Sequence, residues 1–193
     1  AYCEKEETRI DGPWRNGELI KQGARTDLVA FANDIKTNKR KYSEICEQRP
    51  DMVLKYSRNI QALIGGLQQP YVHDDVRGEW YYGEPGTGKS TKAFGDNPGA
   101  YDKQQNKWFD GYEGQDVIIL DDLDKGGKCL GHHLKRWADK YQVKAEMKGG
   151  TVELQHKKII VTSNYTIEEI WDDDNSMMEA IKRRFKATHF QKW

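Results

Sequence analysis

The sequence predicts an α/β domain with a central, largely parallel sheet, preceded by a small helical bundle. Three patterns predict it. Glu79–Tyr82, Val117–Leu120 and Ile159–Val161 are short runs rich in apolar or aromatic residues. The last two are continuous rather than alternating, which is how strands covered on both faces read. Helical spacing stands between them, as in Leu134, Trp137, Ala138 and Tyr141, so strand and helix signals alternate. Residues 26–67 carry helical periodicity alone.

Residues 1–25 are polar and turn-rich, with Gly12-Pro13 and Gly17, and read as a tail or linker. Thr26 suits an N-cap for a helix with Leu28, Phe31 and Ile35 on one face. Lys36 to Lys41 forms a polar hinge, and a second short helix holds Tyr42, Ile45 and Cys46. Pro50 starts a third, in which Val53, Tyr56, Ile60, Leu63, Ile64 and Leu67 share a face and Gly65-Gly66 marks the end. The expected organisation is therefore a tail (1–25), a helical segment (26–68) and a sheet domain (69–193). Within the last, Val143 to Leu154, interrupted by Lys148-Gly149-Gly150, reads as a hairpin with a basic tip.

Gly83-Glu84-Pro85-Gly86-Thr87-Gly88-Lys89-Ser90 follows the first strand and fits G-x-x-x-x-G-K-[ST], the phosphate-binding loop. Its three glycines let several backbone N–H groups converge on one anion. Thr91 continues into a helix whose N-terminus favours negative charge. Lys89 is assigned to the β- and γ-phosphates of ATP and the Ser90 hydroxyl to Mg²⁺.

Two further strand ends complete a candidate site. Val117–Leu120 runs into Asp121 and Asp122; Asp121 is assigned to the metal and Asp122 to the attacking water. Ile159–Val161 runs into Thr162-Ser163-Asn164. Asn164 is either a sensor of the γ-phosphate or, with Ser163, a cap for the next helix. Lys182-Arg183-Arg184-Phe185-Lys186 is the densest basic cluster, and is either an arginine finger acting on another subunit or a solvated face. The hairpin residues Lys144, Lys148 and Gly149 either track a nucleic-acid backbone or form a charged turn. Trp108, Phe109 and Tyr112 are expected to pack in the core.

Composition narrows the classes. The 31 basic and 31 acidic residues cancel, so any nucleic-acid contact is local rather than a property of the whole field. Three scattered cysteines argue against a disulfide framework or a zinc site and for a reducing, intracellular setting. No apolar run is long enough to span a membrane.

Together these pieces resemble the replication initiator (Rep) proteins of small circular single-stranded DNA viruses, circoviruses most closely. Asn106-Lys107-Trp108-Phe109-Asp110-Gly111-Tyr112, Lys148-Gly149-Gly150-Thr151-Val152, Ile160-Val161-Thr162-Ser163-Asn164 and Glu179-Ala180-Ile181-Lys182-Arg183-Arg184 carry the likeness in order. They look like the motifs of superfamily 3 helicases. The resemblance implies an AAA+-like fold, a hexameric ring with DNA in its pore, and residues 26–68 as the oligomerisation segment. It makes Asn164 the sensor, Arg183 the finger with Arg184 as alternate, and Lys148, then Lys144, the pore-loop contact. It also implies action in a host nucleus.

Tyr2-Cys3-Glu4-Lys5 resembles the nucleophile motif of the family's nicking domain. The metal-binding His-hydrophobic-His motif that such chemistry needs does not occur in these 193 residues. Tyr2 is therefore expected to be vestigial and nicking to be absent. Leu123-Asp124-Lys125-Gly126-Gly127-Lys128-Cys129 is more polar and glycine-rich than the aromatic segment expected there in circoviruses.

Overall fold

The computed structural model describes residues 25–67 and 72–192; Tyr2, the rest of the N-terminal tail and Pro70 lie outside them. The described residues group into two units that divide between Arg40 and Lys41, within the 26–68 segment.

The first unit holds α1 (Thr26–Asn38), with Phe31 and Ile35 buried. Its N-cap is Arg25, one residue before the expected Thr26, and no side chain caps it. The helix stops at Lys39, which takes the left-handed conformation (φ 48°). Arg40 folds back on Asp34 at 2.9 Å.

The second unit begins with α2 (Tyr42–Gln48) and α3 (Pro50–Leu67), which pack together. Pro50 suits a first helical turn, where its missing N–H costs nothing. Burial in α3 falls on Met52 and Ile60, and the helix kinks at Tyr56 (φ −132°, ψ 20°). Gly65-Gly66 falls in the last turn of α3, which is described as far as Leu67, in keeping with the end expected there.

The sheet domain is β1 (Gly78–Tyr82), α4 (Lys89–Asp96), β2 (Tyr101–Asp102), β3 (Val117–Leu123), a 3-10 turn (Lys125–Leu130), α5 (Gly131–Trp137), β4 (Val143–Met147), β5 (Gly150–Leu154), β6 (Lys158–Ser163), α6 (Ile167–Ile170), α7 (Asn175–Lys182) and β7 (Phe185–His189). Five strands, in the order β2-β3-β6-β1-β7, form one sheet in which every pairing is parallel. Both faces are covered. Trp80, Ile118, Leu120, Ile159 and Val161 enter one core; Tyr81, Ile119 and Ile160 face Ala93 of α4 in the other. That two-sided burial is the physical reason the strand sequences do not alternate. Trp80 anchors β1: its ring meets Trp171 at 6.0 Å and Phe185 at 5.8 Å, both edge-on, and its Nε1 donates to Tyr165 O. Phe109 and Tyr112 are buried as expected.

The β4–β5 hairpin is a separate antiparallel pair that turns at Lys148-Gly149, where Gly149 supplies the positive φ of 89°. Buried Arg77 ties down both of its ends, donating to Asp139 O (2.7 Å), Tyr141 O (3.3 Å) and His156 O (2.7 Å). Tyr141 lies beyond α5 and is exposed, so it does not join the helix face expected for it.

Candidate nucleotide site

Parallel strands bring their carboxyl ends to one edge of the sheet, where open α/β sheets place ligands. Tyr82, the last residue of β1, pairs with Ser163 of β6. The loop 83–88 therefore starts beside Asn164, and β6 lies between that loop and the acid-bearing β3.

The loop is built on backbone that only glycine tolerates well. Gly83, Gly86 and Gly88 have φ of 148°, 80° and 84°. Gly83 is also pressed from outside, since a Cβ there would lie 2.1 Å from Phe190 O. Phe190 N in turn donates to Tyr82 O, fixing the segment after β7 against the loop. Glu84 pairs with Lys192 at 2.8 Å, Thr87 Oγ1 donates to Glu84 O, and Pro85 is exposed. Gly88 caps α4, so Ser90 and Thr91 occupy its first turn.

Buried Lys89 donates from Nζ to Gly83 O and Glu84 O, each at 2.9 Å, and to Asn164 Oδ1 at 3.1 Å. Burial pushes its pKa down, while the Asp122 and Asp121 carboxylates pull it back up.

The acid pair sits on a β-bulge. Leu120 pairs with Val161 and Leu123 with Ser163, so Asp121 and Asp122 together oppose Thr162. Asp122 takes φ 52°, uncommon for a residue with a side chain. Thr162 Oγ1 accepts from Asp122 N at 2.8 Å and donates to Asp121 Oδ1 at 2.7 Å. Gln105 Nε2 donates to Asp121 O (3.2 Å) and Asp122 O (2.9 Å). Ser163 Oγ donates to Leu123 O. Asn164 Nδ2 points at Asp122 Oδ1 over 3.4 Å. Lys89, Asn164 and Asp122 thus form one continuous polar chain.

Asn164 is spared capping duty, because Thr166 caps α6 through a capping box with Glu169. Thr162 and Gln105 had no sequence assignment. Thr162 stood in a noted polar cluster, whereas nothing in the spacing singles out Gln105.

Arg183 and Arg184 precede β7, whose Phe185 pairs with Gly78. They lie at the opposite end of the strands from the loop, a strand length or roughly 13 Å away. Arg184 is committed: its Nε (2.9 Å) and Nη2 (2.8 Å) both meet Asp139 Oδ2, and Nη1 donates to Ala180 O. Burial alone would raise the Asp139 carboxyl, but Arg184 holds it below its ordinary pKa. Arg183 is exposed, and its side chain makes no hydrogen bond or ion pair among the described residues.

At the hairpin, Lys144 pairs across the strands with Glu153 at 3.2 Å. Lys148 stands at the tip, 80% exposed, its N–H donating to Asp110 Oδ1. Among the described residues no group of three or more His, Cys, Asp or Glu could hold a metal ion by itself. No helix among them is long and apolar enough to cross a membrane.

The strand order, the glycine loop and the bulged acid pair define an AAA+-like P-loop domain, a fold that implies nucleotide binding. A sequence-family model described as RNA helicase matches residues 79–165, from β1 to just past Asn164. The chain is 34% identical over 151 residues to the replication-associated protein of beak and feather disease virus, covering 76% of this chain and 50% of that protein. It is 32% identical over 199 residues to that of porcine circovirus 2 (99% of this chain, 60% of the relative). It is 28% identical over 194 residues to that of a human-associated cyclovirus (96% and 67%). The chain is thus similar over most of its length to circovirus-like replication-associated proteins, and its β1-to-Asn164 segment matches a helicase-type domain. It spans about half to two thirds of the length of the curated relatives it matches.

Proposed function

We propose that this chain is the motor of a rolling-circle replication initiator, an ATP-driven DNA helicase working as a hexameric ring. The observation that carries the reading is the polar chain Lys89–Asn164–Asp122, which links the phosphate loop to the acid pair across β6.

Residues Gly83 to Thr91 would hold the triphosphate, with Lys89 Nζ exchanging two carbonyl partners for phosphate oxygens. Ser90 and Asp121 offer hard oxygen donors of the kind Mg²⁺ takes, and in such sites phosphate and water fill the remaining positions. When bound, Mg²⁺-ATP supplies the scissile phosphoanhydride and neutralises charge developing on it. Asp122 orients the attacking water and accepts its proton at Oδ. Asn164 Nδ2 steadies that carboxylate while its Oδ1 holds Lys89, so one amide reports on both.

Arg183 lies too far from the loop of its own chain, so it serves a neighbouring subunit; Arg184, neutralised by Asp139, holds the segment in place. A trans finger makes turnover depend on assembly, and residues 26–68 are the proposed oligomerisation segment. Lys148, with Gly149 forming the turn and Lys144 behind it, would track the DNA backbone in the pore. The kinship also supports action in the host nucleus, which imaging of the tagged chain in infected cells tests.

The deciding experiment is strand displacement on a tailed DNA duplex with Mg²⁺-ATP, using Lys89→Ala as control. Unwinding by the wild type alone supports the reading; failure with both leaves a nucleotide-gated binding module. An RNA duplex run in parallel tests the second reading, an RNA-directed motor, which the description of the matching family model favours.

A further inference from the structure

The acid pair needs an explanation that the strands themselves do not supply. β2 pairs with β3 only at Tyr101–Ile118 and Asp102–Ile119, with one more bond from Lys103 N to Ile119 O. Beyond that point β3 has lost its neighbour on this side, while the bulge has turned Asp122 to φ 52°. On that side no strand holds Asp121 and Asp122, and a bulged peptide at positive φ that lacks a brace is free to relax toward extended backbone.

Gln105 answers both needs. Its amide reaches back over two residues and donates to both carbonyls from one nitrogen. The turn that carries it is held from beneath by Lys103, which is 1% exposed. Lys103 Nζ donates to Gln104 O (2.6 Å), Asn106 O (2.6 Å) and Asn106 Oδ1 (3.2 Å), and lies over the Phe109 and Trp137 rings at 4.9 and 5.4 Å. Burial lowers its pKa to about 8, so at neutral pH it is still chiefly a cation with three protons to donate.

We propose that Gln105 is a positioning residue for the acid pair: its side-chain amide stands in for the strand that β2 no longer supplies and fixes the bulge that aims Asp121 and Asp122. Thr162 clamps the same bulge from the β6 side, so the turn is held between a side-chain donor and a hydroxyl. The inference rests on the ATPase reading for its catalytic consequence, but not for its structural one.

Gln105 is exposed, so Gln105→Ala and the isosteric Gln105→Glu are expected to fold. Glutamate keeps the shape but, as a carboxylate, has no proton to offer the carbonyls. Three quantities are measured on the full chain: ATP turnover with single-stranded DNA, binding of a fluorescent ATP analogue, and amide hydrogen exchange of peptides spanning 118–124 in nucleotide-free protein. Asp122→Asn is the reference for a lost water-orienting group. Both Gln105 variants should lose about tenfold in kcat, keep analogue affinity within about twofold, and exchange faster at 121–123. Wild-type turnover with unchanged exchange would overturn the proposal. A parallel loss of analogue affinity would also overturn it, because Gln105 would then be a nucleotide contact. If the wild type itself does not hydrolyse ATP, the ATPase reading fails separately. Exchange at 121–123 then decides the bracing role alone, faster supporting it and unchanged refuting it.

Discussion

Asp122 and Asn164 show how much of the site's chemistry is set by where one side chain points. Asn164 bridges Lys89 and the acid pair, so Asn164→Ala should cut turnover by about 10²-fold while changing analogue affinity little. A loss confined to affinity would make it only a prop for Lys89. The two adjacent arginines should part company. Arg183→Ala should lower turnover by about 10³-fold without affecting the folding midpoint, the size expected when a finger is removed. Arg184→Ala should instead lower stability by about 1–3 kcal/mol, because it leaves the half-buried Asp139 carboxylate without its partner. Denaturant titration beside steady-state kinetics separates the two. The sequence could not make this distinction. Arg183 and Arg184 differ by one position, and one step at the end of a helix is enough to turn one toward Asp139 and leave the other in solvent.

At the scale of elements, the hairpin illustrates a division of labour between base and tip. Arg77 donates to three carbonyls at the base, so Arg77→Met should leave acceptors unsatisfied and destabilise the fold by about 2–4 kcal/mol. The tip carries little structural duty. Lys148→Ala should leave stability within about 0.5 kcal/mol and weaken single-stranded DNA binding. It should also reduce the salt dependence of binding by about one counterion, which a titration of affinity against salt would reveal. The strands and this hairpin were legible because two-sided burial and the Lys148-Gly149 turn leave local marks. The bulge at Asp121-Asp122 was not, since it arises only when β3 is laid against β6 and one strand has a residue too many. Thr162 and Gln105 acquire their roles from that mismatch, forty and seventeen residues away from the residue they hold.

For the whole molecule, buried His156 makes the stability depend on pH. It is fully buried, donates from Nε2 to Trp137 O, and its Nδ1 has no hydrogen-bond partner among the described residues. Burial drives its pKa from 6.5 to about 3, with the Arg77 cation adding to the shift. The folded chain therefore keeps it neutral while the unfolded chain protonates it below pH 6.5. Its contribution is intact above that value and is lost as pH falls toward 3. Between pH 7 and 5 the loss should be about 2 kcal/mol. Denaturant midpoints across that range should fall in the wild type and fall less in His156→Gln. Equal slopes would show that His156 is not the titrating group. Assembly offers a second test at this scale. On the proposed ring, mixing Lys89→Ala with Arg183→Ala chains should restore part of the ATPase that each lacks, since some junctions would then be intact; no recovery would count against a finger acting between subunits.

By itself the sequence determined the class of fold, the phosphate loop, the acidic strand end and the kinship, because each is written in contiguous residues whose local physics suffices. Glycines permit the turn, apolar runs demand burial, and Lys89 and Ser90 follow in fixed steps. Only the tertiary structure decided that Asn164 joins Lys89 to Asp122 rather than capping α6, that Arg183 is the unpaired arginine, and that Gln105 and Thr162 grip the acid pair. Those outcomes depend on strand order and register, which set distances between residues far apart in the chain, and no local pattern encodes such distances.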